Sequence, residues 1–341
     1  MKLPVDVSEN GAVILGDEVV CDGHTDSASV RVQTHVHSDH MSEFERSKGA
    51  LEKILCTEAT RALLVAEFNA DLKHRPGLIG LRYNEPYQIA NGSVTLVSSG
   101  HMLGSAQVLV TAADGTRLGY SGDLQWPADE VIKVDYLVVD STYGSPYRRR
   151  KYSQDEVNKR FIEIASRAVN YGPLHIKAYR GTAQRALHLL CGNILVPILA
   201  SSKFAKELNV YRNFGYAIDP IHILGTSEAS TALESARYIR FYGMDETPKV
   251  GGGTEIILSG FMSDPADPVR TYSAHSIRIA MSDHADFDGI MSYIEESGAR
   301  VVVTDNTRNH GIELAMAIRE RLGIDAHPST NFLEHRYGRA L

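Results

Sequence analysis

Cysteine is scarce in this sequence. Cys21, Cys56 and Cys191 are the only three, they lie far apart, and no two form a CxxC pair. An odd number at such spacing argues against a disulfide framework and fits a reducing compartment. Long apolar runs are missing as well. No stretch approaches the roughly 18–20 apolar residues that a membrane helix needs. The opening residues, MKLPVDVSENG, carry no apolar segment of a secretory signal. A cytoplasmic chain with no membrane partner is therefore expected. Repeats and low-complexity tracts are absent too. The net charge of −7 would exclude a polyanionic partner if it were spread evenly, but it is not. Residues 146–212 hold thirteen Lys and Arg against four Asp and Glu, so this stretch carries +9 and the remainder −16. The local field matters more than the total.

What is present suggests two domains. The chain has 341 residues and is 43% hydrophobic, enough for sizeable cores. The first part reads as strands with turn punctuation. AVILGDEVVCD fits a hairpin with a two-residue turn at Gly16-Asp17. SVRVQTH alternates Val30, Val32 and Thr34 on one face. Residues 57–70 have a helical pattern, with Thr57 placed to cap it. After about residue 146 strands such as PLHIKAY, NILVPI and EIILSG alternate with helical stretches at 180–191, 201–209 and 229–242, the texture of a parallel α/β sheet. Strand, helix, strand and helix follow from 277. The expected segments are 1–145, 146–275 and 276–341.

The chemistry concentrates in QTHVHSDH. His35, His37, Asp39 and His40 fall within six positions, straight after a strand. In an extended segment His35 and His37 share a face, and a tight turn can return Asp39 and His40 towards the same point. Imidazole and carboxylate are zinc ligands. Four such groups exceed what one ion takes from so short a segment, and two ions account for the surplus.

H-x-H-x-D-H resembles the signature of the metallo-β-lactamase superfamily, and the resemblance continues in order. Asp22 stands where the family has an acidic residue supporting the metal loop. His101 in SSGHMLGSAQ matches the next metal histidine, and Asp123 in YSGD the carboxylate that bridges two zincs. VVDSTYGSP at 138–146 and MSDHADFDGI at 281–290 are similar to motifs of the β-CASP nucleases. AYRGTAQRAL is similar to a GKAQR segment of the DNA-ligase-associated exonucleases. The resemblance implies an α+β chain: an αββα metallo-β-lactamase sandwich with an inserted parallel α/β β-CASP domain.

It also implies a mechanism. His35, His37 and His101 would hold one Zn²⁺ and Asp39 and His40 the other, with Asp123 between them and Mn²⁺ as an alternative metal. His284 would protonate the leaving 3′ oxygen, held by Asp140; its rival role is that of a metal ligand. Asp39, His284 and Asp140 are thus the residues expected in the reaction. One motif departs. Asp305 stands where these nucleases usually carry a histidine ligand of the second zinc, and His310 lies five residues on. Asp305 can replace that ligand or be a turn residue. The histidine is also replaced in the branch around Artemis, which tilts the reading to DNA.

Arg148, Arg149, Arg150, Lys177, Arg180 and Arg185, interleaved with Tyr147, Tyr152 and Tyr179, are the candidate nucleic-acid contacts. The expected function is hydrolysis of DNA phosphodiesters from a 5′ end, with a ligase or helicase partner left open. The alternatives are a β-CASP ribonuclease, a small-molecule metallohydrolase and a non-catalytic nucleic-acid scaffold.

Overall fold

The structure is a computed structural model and describes residues 3–68, 70–248, 252–260, 264–307 and 309–329. The chain divides into two units, one of residues 1–149 with 284–341 and one of residues 150–283. Among the described residues no helix is long and apolar enough to cross a membrane.

The first unit is built on two sheets. Six strands run in chain order in one: Val5–Val7, Val13–Leu15, Val19–Cys21, Val30–Val32, Lys53–Thr57 and Leu78–Leu81. The second has seven, in the order Asp325–Pro328, Val301–Thr304, Tyr136–Val139, Arg117–Tyr120, Ala106–Ala112, Gly92–Ser98, Tyr87–Ile89. Their valine-rich, β-branched sequences suit a pleated surface. The inner faces share one core, with Val13, Val30 and Leu55 from one sheet against Leu96, Val108 and Val138 from the other. Helices Phe287–Ser297 and Gly311–Leu322 cover the outer face of the second sheet through Phe287, Ile290, Leu314 and Ile318. Helix Glu58–Phe68 lies on the first, beside Lys53–Thr57 and Leu78–Leu81. This is the αββα sandwich that the sequence led us to expect.

The second unit is a mostly parallel sheet in the order His222–Ile223, Ile198–Ala200, Ile239–Tyr242, Leu174–Lys177, Thr254–Leu258, Ser276–Ile279, Val269–Ser273. Only the last pair is antiparallel. Helices Gln154–Ala168 and Thr182–Leu190 bury Val157, Phe161, Ala186 and Leu187 against Ile176 and Ile256. Ser153 caps helix Gln154–Ala168 by accepting from Glu156 N, and Ser201 caps a further helix, Ser202–Asn213, by accepting from Phe204 N.

Several local expectations change. The first hairpin turn has three residues, because Leu15 pairs with Val19 and Gly16 adopts φ +70°. The helical reading of 229–242 divides into helix Ser227–Glu234 and strand Ile239–Tyr242. NILVPI is not a strand along its length; only Ile198 joins the sheet, in Ile198–Ala200. Ser276–Ile279 pairs with Thr254–Leu258, so the boundary expected at 275 falls later. By contrast, Thr57 caps as expected, its Oγ1 accepting from Thr60 N at 3.0 Å.

Candidate metal centre

The site belongs wholly to the first unit and forms where strands end. Strand Val30–Val32 delivers Thr34 and His35, and Ser38–His40 coils into one short 3₁₀ turn. Asp22 follows strand Val19–Cys21 in a left-handed conformation, φ +57°, which aspartate tolerates better than most residues. Asp123 follows Gly122, where φ is +56° and a Cβ would stand 2.5 Å from Ala106 O, so only glycine lets the chain pass this close.

Four donor atoms converge. His37 Nδ1 lies 3.1 Å from His35 Nε2 and 3.1 Å from His101 Nε2. Asp123 Oδ2 lies 3.4 Å from His35 Nε2 and 3.5 Å from His101 Nε2. A tetrahedral zinc with ligands at about 2.0–2.1 Å needs its donors roughly 3.3 Å apart. The protonation state of His35 strengthens the fit. Thr34 Oγ1 donates to Asp22 Oδ2 at 2.5 Å, so it must accept from His35 Nδ1 at 2.9 Å. That leaves Nε2 as a lone pair facing the Asp123 carboxylate. Two acceptors so close repel unless a cation lies between them. Burial, followed by the neighbouring His40, pushes the His35 pKa well below the usual imidazole value, in line with a neutral ring.

The second oxygen of Asp123 serves a second group. Oδ1 lies 3.0 Å from His40 Nε2, and Asp39 Oδ2 lies 3.8 Å from the same nitrogen. The Asp39 side chain is 58% exposed, whereas His40 is wholly buried. His40 Nδ1 donates to Asp22 Oδ2 at 2.7 Å, which aims Nε2 at Asp123. Burial opposes charge on His40, but Asp123 and then Asp22 outweigh it and raise its pKa to about 10. The carboxylates therefore favour a positive charge here, a role that a divalent ion held by these residues would supply in place of the proton. Burial likewise opposes the charge on Asp123, yet His40 and then His284 hold its pKa well below the usual range.

His284 completes the cluster. Its Nδ1 is 3.1 Å from Asp140 Oδ2, and its Nε2 points to Asp123 Oδ2 at 3.8 Å. Asp140 is itself fixed, because its Oδ1 accepts from Thr142 N at 2.8 Å and Thr142 Oγ1 at 2.7 Å. The His284 side chain is 21% exposed, against 5% or less for His35, His40, His101 and Asp123. Solvent, and hence a substrate, can reach it.

No family model matches the chain. An "Uncharacterized protein in lig 3′region" of Acidianus ambivalens is 34% identical over 140 residues, 40% of this chain and 99% of that protein. A "Probable DNA ligase" of Opitutus terrae is 24% identical over 86% of this chain, which spans only 28% of that longer protein. An "RNase J-like protein" of Methanocaldococcus jannaschii is 22% identical, covering 86% of this chain and 85% of its own. The crystal structure of a protein of unknown function from Enterococcus faecalis superposes with a TM-score of 0.56 at 16% identity, over 81% of this chain and 74% of that one, a likeness of fold. The chain belongs to the β-CASP nucleases of the metallo-β-lactamase superfamily.

Within this β-CASP nuclease Asp305 stands apart from the cluster. Among the described residues three groups of donors converge; Asp305 is in none of them, and neither is the exposed Asp39. Its Oδ1 accepts from Thr307 N at 2.9 Å and Thr307 Oγ1 at 2.6 Å, closing an Asx turn after strand Val301–Thr304. Of the two expected roles, the hydrogen bonds favour the turn residue. His310 does not replace it either, since its Nδ1 faces Glu313 Oε2 at 3.4 Å. Asp305→Asn keeps the turn acceptor, so metal content and activity should stay within about twofold of wild type. Asp305→Ala should cost about 1 kcal/mol in urea unfolding, again without loss of metal.

The basic candidates also differ from expectation. Arg180 Nη2 donates to Glu207 Oε1 at 2.7 Å, and Arg185 donates to Asp283, Gln154 and Asn158. These guanidinium groups pair with carboxylates and amides inside the second unit. Arg149 Nε is 2.9 Å from Asp288 Oδ1, and its guanidinium lies over the Phe287 ring. Arg148, Arg150 and Lys177 are half-buried, and Tyr152 is buried, while Tyr147 and Tyr179 are exposed at 91% and 59%. Arg180→Ala strands a buried Glu207 carboxylate and should cost on the order of 3 kcal/mol of stability. The salt slope of nucleic-acid binding by the folded variant should not change.

Sequence reading missed Arg31, Gln33 and Thr34 as supports of the metal loop. Their signal was present: a charge and an amide alternate with valines in a strand that is buried on both faces.

Proposed function

We propose that this nuclease hydrolyses DNA phosphodiesters with two divalent ions, Zn²⁺ or Mn²⁺, working from a 5′ end. The observation that carries the reading is Asp123, whose two oxygens face two separate donor sets. His35, His37 and His101 would hold one ion, His40 and Asp39 the other, with Asp123 common to both. Bound there, such ions supply a nucleophile from water at neutral pH and offset the charge gathering on the phosphate.

The remaining chemistry falls to the chain's own side chains. Asp140 accepts from His284 Nδ1 and stabilises the imidazolium, whose Nε2 proton points into the site. From there it passes to the departing 3′ oxygen, which would otherwise leave as an alkoxide. Asp22 fixes the ring of His40, and Thr34 that of His35. A small-molecule hydrolase would not need the second unit, and a scaffold would not keep a full donor set.

DNA is favoured by two relatives, one named for the lig 3′ region and one named a probable DNA ligase. That second relative also makes a ligase the first partner to try. RNA is the second reading, favoured by the RNase J-like relative, which matches over most of both chains. Matched single- and double-stranded DNA and RNA, each end-labelled, should be digested side by side and the products sized over time. Mononucleotides released first from the 5′ end of DNA support the reading; faster loss of RNA transfers it to the ribonuclease class.

A further inference from the structure

Among the described residues Arg31 is the largest side chain buried without any exposure, and a buried charge persists only where hydrogen bonds compensate it. Its compensation is unusual in kind. Arg31 Nε and Nη2 both donate to Gln33 Oε1, at 3.1 and 2.7 Å. Nη2 also donates to His40 O at 3.0 Å, and Nη1 to Ser42 O at 2.9 Å and Ser47 Oγ at 3.0 Å. Every one of these acceptors is neutral. These bonds settle the Gln33 amide, since an oxygen that faces Arg31 turns the NH₂ the other way. Gln33 Nε2 then reaches His35 O at 2.7 Å, His40 O at 3.0 Å and Asp22 Oδ1 at 3.2 Å. The pair therefore grips the backbone at both ends of the segment 35–40 and the carboxylate that aims His40.

We propose that Arg31 and Gln33 act together as positioning residues for the ions, setting the distance between the ends of the metal loop and the aim of His40 before any ion arrives. The inference rests on the metal reading above. Without the pair both ends of the six-residue segment lose backbone anchors, and each ligand must be ordered at the cost of ion affinity. Partners that orient ligands typically change affinity by about 10–100-fold when removed.

The test uses Gln33→Glu and Arg31→Lys, the first close to native in volume and the second native in charge. The carboxylate that Gln33→Glu introduces would still receive Arg31 but would turn an acceptor on the two carbonyls and Asp22. Lysine in place of Arg31 keeps the charge and loses the fork that reaches Gln33 and His40 together. Full-length apo proteins are titrated with Co²⁺, following the visible absorption, and melted in parallel. The expected result is a 10–100-fold weaker affinity for Gln33→Glu and a smaller loss for Arg31→Lys, in protein that remains folded. Combining the two changes should add little, because the two residues form one unit. A lowered apo melting temperature with wild-type Co²⁺ affinity and spectrum would make the pair merely structural and overturn the proposal. If Arg31→Lys does not fold, Gln33→Glu decides alone. Failure of the wild type to bind Co²⁺ at all would instead overturn the metal reading, a separate outcome.

Discussion

Asp123→Ala is expected to abolish cleavage and to empty both ion positions together. One carboxylate serves the two donor sets, Oδ2 beside His35 and His101 and Oδ1 beside His40. Its removal takes one donor from each set. It also takes away the charge that offsets two cations, and it leaves the buried imidazoles of His35 and His40 crowded together without the Asp123 carboxylate that faces both. The loss of rate should exceed the ~10²–10⁴-fold that general acid catalysis supplies. Metal analysis of the gel-filtered protein should fall to a fraction of an equivalent, and the far-ultraviolet spectrum should stay that of a folded chain. Asp123→Asn should be milder, since it keeps an oxygen donor and loses the charge. An Asp123→Ala protein that retained two equivalents of metal would move the bridge elsewhere.

The second large effect concerns His284, and it separates two roles. An acid acts as the leaving oxygen departs, so its loss lowers the chemical rate without releasing metal. His284→Ala should cut about 10²–10⁴-fold more slowly, keep its metal and still bind substrate. Asp140→Asn should behave alike, because it removes the charge that holds Nδ1. The double variant should be little worse than the worse single one, since two residues that act as a unit are not additive. Loss of one metal equivalent from His284→Ala would reassign it as a ligand of the ion beside His40.

These effects separate what the sequence could and could not reveal. His35, His37, Asp39 and His40 were legible because metal binding needs particular atoms, and the turn brings neighbours in sequence to one point. The αββα layers were legible in the same way, since valine-rich strands and amphipathic helices state their own periods. Asp140 and His284 are 144 positions apart, and only a resemblance could join them. Part of the basic stretch has internal partners that the sequence does not show. An arginine run looks the same whether its guanidinium groups face a polyanion or, as Arg180 and Arg185 do, an internal carboxylate. Asp305 was ambiguous because aspartate both ligates metals and closes turns; two bonds from Thr307 show it closing a turn here. The 229–242 stretch failed at Ala236, whose φ of +53° marks the break that helical periodicity alone does not show.

The central claim is that the cluster around Asp123 holds the ions that cut nucleic acid. The most direct measurement starts from protein stripped with a chelator and then dialysed free of it, with cleavage of an end-labelled strand followed as Zn²⁺ or Mn²⁺ is added back in fractions of an equivalent. The account predicts no cleavage in the stripped protein, recovery as the ions return, and a plateau once two equivalents are bound. Undiminished cleavage by the stripped protein, or none on any strand after two equivalents have bound, would contradict it.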